Sequence, residues 1–177
     1  MIKKNFNLVA MIVLLILLAV FSRFVSHAWN FTLMGGVAIF AGGFFRSKAV
    51  AAFVVLGSLL LSDAVIGFHN QMLPVYFGFL VMMALGSLLT VNSSRTSVLV
   101  TSLVGSLSFF LITNFSVWSE AALYPQTFSG LIDCYLMGIP FFKNQLIGDI
   151  VSSSALFAIA KAAQSLYEAK LQDQYNQ

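Results

Sequence analysis

The run AVAAFVVLGSLLLSDAVIGF, residues 49–68, carries a single ionisable side chain, Asp63, near its far end. A helix of this length reaches about 30 Å, the thickness of a bilayer's hydrocarbon core. The rest of the chain has the same character. Over 177 residues, 59% are hydrophobic and only 8% charged, with a mean hydropathy of +0.93. Soluble domains hold roughly 25% charged and 45–50% apolar residues, so this chain cannot cover a water-facing surface. Its length allows one domain, 1–177, of helices joined by short loops.

Outward from residues 49–68, the hydrophobic runs predict an all-α integral membrane protein with transmembrane helices over roughly 6–24, 29–45, 49–68, 74–91, 96–115 and 145–166. The first follows Lys3 and Lys4, a layout shared with signal peptides. It is longer than a usual h-region of about 7–15 residues, which favours a retained helix. The second contains Gly35, Gly36, Gly42 and Gly43 and is expected to pack closely against its neighbours. Pro74 suits the first turn of the fourth, because its missing N–H would have no helical partner there. In the fifth, Ser102 and Ser106 lie one turn apart beside Gly105, a plausible contact stripe; Ser154, Ala158 and Ala162 suggest another in the last.

Residues 113–125 read as the longest polar-aromatic connection, of a length that is usually functional or disordered. Residues 128–142 are apolar but short for a span, interrupted by Asp133 and ended by Pro140. They read as an additional short, half-inserted helix in the last outer loop. With both termini in the cytoplasm, the cations divide seven to two: Lys3, Lys4, Arg46, Lys48, Arg95, Lys161 and Lys170 inside, Arg23 and Lys143 outside. The expected location is the bacterial inner membrane.

In this topology Arg23, His27, Asn30, Asp63, His69, Asn70, Asn114, Trp118, Glu120, Asp133, Cys134, Tyr135, Lys143, Asn144 and Asp149 gather at outer helix ends or in outer loops. Ionisable groups at membrane depth cost about 2.5–3.5 kcal/mol and usually face a bundle interior or water-filled cavity. A polar, aromatic-lined pocket open to the outside is the simplest arrangement. Two readings stand for several of these groups. Arg23 and Asp63 form a structural ion pair or touch a ligand. Trp29, Trp118, Tyr124 and Tyr135 make an interfacial belt or stack on a ligand. His27, His69 and Asp63 lack the spacing of a metal site. Cys134, the sole cysteine, excludes an internal disulfide and suits a small buried apolar residue. Asp149 reads as a charge partner for the N-terminal dipole of the final helix.

There is no phosphate loop, GxSxG elbow, HExxH or paired-cysteine box, and the basic residues form no cluster for nucleic acid. No catalytic centre, cofactor or metal is expected. Proton-coupled transporters usually show acids near mid-membrane, whereas the acids here read as lying towards helix ends or in the tail. Binding without chemistry fits better.

Asn30-Phe31-Thr32, Leu61-Ser62-Asp63, Gly67-Phe68-His69, Thr113-Asn114-Phe115 with Val117-Trp118, Tyr124-Pro125, Cys134-Tyr135, Ile139-Pro140-Phe141-Phe142 with Asn144, and Gly148-Asp149 together resemble a family of uncharacterised small bacterial membrane proteins. That family is similar to the substrate-binding S-components of energy-coupling-factor vitamin transporters. The resemblance implies six helices that capture a vitamin or precursor in an outer pocket under closing loops. It also implies docking on an energising module of a membrane T-component and two ATPases. The chain departs from the pattern in lacking an Ala-x-x-x-Ala docking stripe on the first helix, since Ala10 and Ala19 are not so spaced.

The function expected is therefore a substrate-binding membrane subunit for uptake of a small micronutrient. Its candidate site residues are Asp63, Asn114, Trp118, Tyr135, Asn144, His69 and Arg23, with amides and acids orienting the ligand and aromatic faces supplying contact area. The partners expected are a small molecule, the lipid bilayer and an energising module. The rival is a structural or assembly subunit whose outer aromatic loop docks a protein; it predicts a flat, exposed 113–125 loop with no cavity beneath. A weaker third reading is a lipid enzyme with Asp63 and His69 as acid and base.

Overall fold

The computed structural model describes residues 2–25 and 31–175, with side chains from Leu8 onward. His27, Trp29 and Asn30 lie outside the described residues. Six helices follow in order: α1 Ile2–Phe24, α2 Met34–Phe44, α3 Lys48–Ile66, α4 Met72–Gly86, α5 Arg95–Ser119 and α6 Phe128–Tyr175. The described residues contain no strand. Helices α3, α5 and α6 are long and apolar enough to cross a membrane, which suggests a multi-pass membrane protein.

The surface supports this assignment. Leu14, Leu17, Phe21, Phe53, Val65, Leu103 and Val151 stand exposed along the helices, while Ser58, Ser62, Asp63, Ser102, Ser106, Gln145, Asp149 and Ser153 are buried. Water does not sort side chains this way, because continuous apolar patches on soluble proteins rarely exceed a few hundred Å². Lipid does.

Helix α2 is the hub, touching all five other helices. Its residues Met34 to Gly42 are all buried, and at eleven residues it is about 16 Å long, too short to span alone. Glycine permits the crowding. A Cβ on Gly42 would lie 2.0 Å from the Met83 carbonyl oxygen of α4, and one on Gly86 2.1 Å from that of Ile39. Two turns earlier on α2, a Cβ on Gly35 would meet Asp149 Oδ1 at 2.0 Å. The close packing expected of the glycine-rich run is therefore present, and the helix runs over Met34–Phe44, with 31–33 outside it.

The last part of the chain corrects the sequence reading most. Residues 128–142 and 145–166 are not a half-inserted helix followed by a span; both lie within the 48-residue α6, with Pro140 inside it. A proline removes only its own N–H from the ladder, and membrane helices tolerate this where neighbours cover the freed carbonyl. Here α5 packs along α6. Ser102 bonds to Ser153 and Ser106 to Asp149, while the Phe110 ring meets that of Phe142 at 4.7 Å. Asp149 is thus no helix-start residue, and it lies deep inside α6 opposite the middle of α5.

The Ser102/Ser106 stripe is a true helix contact. The Ser154, Ala158 and Ala162 stripe is not, since Ala158 and Ala162 are exposed and the buried face of α6 presents Ser152, Ser153 and Phe157 instead. Residues 161–175 are nearly all exposed and extend α6 by about 22 Å.

Candidate functional site

One end of the bundle collects the C-terminal ends of α1, α3 and α5, the N-terminal ends of α2 and α4, and residues 138–145 of α6. A cavity of about 650 Å³ opens between them. Phenylalanine dominates its wall, with Phe31, Phe79, Phe109, Phe110, Phe141 and Phe142. The Phe79 and Phe109 rings meet at 4.5 Å. Among these rings stand a few polar groups: Arg23, His69, Gln71, Thr113, Asn114 and Gln145.

Arg23 is fixed from behind. Its Nη2 lies 2.7 Å from Asp63 Oδ1, its Nη1 donates to Ser62 Oγ, and Tyr76 Oη donates to Asp63 Oδ2 at 2.8 Å. The Arg23–Asp63 approach is a close ion pair without the alignment of a hydrogen bond, leaving Oδ1 with no directed donor among the described residues. Asp63 is fully buried, so this cluster ties α1, α3 and α4 together. It also cancels the carboxylate charge in the bundle. Of the two readings for this pair, the ion pair is the one present, with Arg23 still on the cavity wall.

The wall amides are held differently. Asn114 Nδ2 donates to the Phe110 carbonyl at 2.9 Å. Gln71 Nε2 donates to Glu120, while Gln71 Oε1 is buried with no hydrogen-bond partner among the described residues. An unpaired buried acceptor costs about 1–3 kcal/mol. Gln145 lines the cavity and donates through Nε2 to Asp149 Oδ2 at 3.2 Å.

Of the seven candidate residues, the cavity brings together Arg23, His69 and Asn114, with Asp63 directly behind Arg23. Trp118, Tyr135 and Asn144 are not on its wall. Trp118 Nε1 donates to the Pro125 carbonyl at 3.0 Å, and Gln126 Nε2 donates back to the Trp118 carbonyl. Tyr135 Oη donates to the Leu111 carbonyl at 2.9 Å. Cys134 is buried, its thiol on the Asn114 carbonyl at 3.3 Å.

The expected 113–125 loop is mostly helix, since α5 runs to Ser119. Thr113 and Asn114 satisfy their polar groups on carbonyls four residues earlier in the same helix. The sequence reading missed Gln71, Gln145 and the phenylalanine wall. The adjacent pairs Phe109-Phe110 and Phe141-Phe142 were the available signal.

No group of three or more His, Cys, Asp or Glu side chains converges among the described residues. The site is an aromatic-walled hollow with a fixed cation and several amides, set in a helical bundle of membrane character. Such a hollow can hold and orient a small molecule.

The chain belongs to the Family of unknown function (DUF6580), matched over residues 3–171. Neither the curated proteins nor the solved structures contain a match.

Proposed function

We propose that this protein is a substrate-binding membrane subunit that captures a small nutrient for uptake, in the manner of an S-component. The observation that carries this reading is the cavity of about 650 Å³, within the roughly 300–1,000 Å³ of small-molecule sites. It joins ring faces to a few polar residues, Arg23, His69, Thr113, Asn114 and Gln145 among them. Arg23 is already neutralised by Asp63, so the cavity suits a ring-bearing molecule recognised by hydrogen bonds more than by net charge.

All six helices cross the membrane or pack within it in this reading, both termini face the cytoplasm, and the cavity opens outward. The seven-to-two division of cations supports this orientation. The partner it entails is an energising module of a T-component and ATPases. The test is thermal stabilisation of the purified protein across a panel of vitamins and precursors. A ligand at 100 times its Kd should add about 2.7 kcal/mol; a panel without any shift would count against the proposal.

A further inference from the structure

The two buried acids of the bundle are treated unlike each other. Asp63 has Arg23 at 2.7 Å. Asp149 is equally deep, at 1% exposure, yet no cation of the described residues pairs with it. Its Oδ2 accepts from Ser106 Oγ at 2.7 Å and from Gln145 Nε2 at 3.2 Å. The groups facing it from α2, α4, α5 and its own helix are Gly35, Met82, Ser106 and Gln145, none of them titratable. Even the space for the carboxyl depends on Gly35 having no side chain, since a Cβ there would lie 2.0 Å from Oδ1.

A buried carboxylate without a counter-charge is strongly unfavourable, and ionisable groups at membrane depth are typically ion or proton sites. We propose that Asp149, with Ser106 and Gln145, binds a monovalent cation, H⁺ or Na⁺, in the middle of the bundle. One carboxylate balances one positive charge; a divalent ion would leave an uncompensated excess, and no second acid converges on the site. Oxygen ligands for sodium are at hand in the carboxylate, the Ser106 hydroxyl and the Ser102–Ser153 hydroxyl pair one turn along. A proton needs only the carboxylate. Gln145 both lines the cavity and bonds to Asp149, so this side chain links the carboxylate to the cavity wall. A role for the cation in driving uptake rests on the proposed nutrient reading; the cation site itself does not.

The test uses the full chain purified in detergent, with no organic ligand. Thermal unfolding is followed with sodium chloride replacing choline chloride at constant ionic strength, and separately across pH without sodium, for wild type and Asp149→Asn. The wild type should be stabilised by sodium in the first series or by protons in the second, and Asp149→Asn should lose that response. The series that responds identifies the ion. Identical responses in wild type and Asp149→Asn, or no response to either ion, would overturn the proposal. If the Asn variant does not accumulate, Ser106→Ala keeps the acid but removes one donor. It should move the midpoint of the response by roughly tenfold in cation concentration, and an unmoved midpoint would equally overturn the proposal. A cation response without any hit in the vitamin panel would leave this site standing and remove the nutrient reading.

Discussion

Replacing Gly42 by alanine tests the α2–α4 contact at its tightest point. The new methyl would sit 2.0 Å from the Met83 carbonyl oxygen and 3.0 Å from both Met83 C and Ser87 N. These are backbone atoms of α4 and of Ser87, which caps it, so no side-chain rotation relieves the clash and the helices must separate. Overpacking of this kind costs about 1–3 kcal/mol, and a rigid backbone neighbour puts it at the upper end. Alanine returns about 1 kcal/mol through its better helix propensity, leaving a net loss of about 2 kcal/mol. Gly57 in α3 is the internal control, because a Cβ there meets only Ile16 Cδ1 at an ordinary 3.9 Å. Gly57→Ala should therefore stabilise by about 1 kcal/mol. Denaturant unfolding of both variants in mixed micelles should separate them by about 3 kcal/mol, and equal stabilities would refute the close-packing argument.

The ion pair at the cavity rim predicts non-additive mutations. Arg23→Leu alone leaves Asp63 buried and unpaired and should cost about 3 kcal/mol, whereas adding Asp63→Asn should recover part of the loss in a double-mutant cycle; additive losses would mean the pair is not coupled. Ala121, at φ 55° just after α5, is the one non-glycine residue with positive φ among the described residues. Ala121→Gly should raise stability by about 1 kcal/mol in the same unfolding assay, and a loss would show that the turn is shaped otherwise.

The hydrophobic runs and scarce charges made the helical membrane character legible, because lipid selects side chains by polarity alone. Breaks were harder to read. Pro140 looked like a stop, but only one backbone N–H is lost there and α5 lies alongside. This single misreading shifted Asp149 from mid-helix to a helix start and hid the buried carboxyl. Thr113, Asn114 and Ser119 looked like loop residues although their side chains bond within α5. The clustering of polar groups at one end of the bundle could be inferred from topology. Which of them lines the hollow could not, since Trp118 and Tyr135 turn to backbone carbonyls while Gln71 and Gln145 stand on its wall.

The proposed outward opening of the cavity is tested most directly by labelling intact cells with a membrane-impermeant maleimide. In a Cys134→Ser background, Thr113→Cys on the cavity wall should be modified without permeabilisation. Ser153→Cys, fully buried against Ser102, should resist in intact and opened cells alike. Labelling of Thr113→Cys only after the cells are opened would contradict the orientation, and equal labelling at both positions would contradict the cavity.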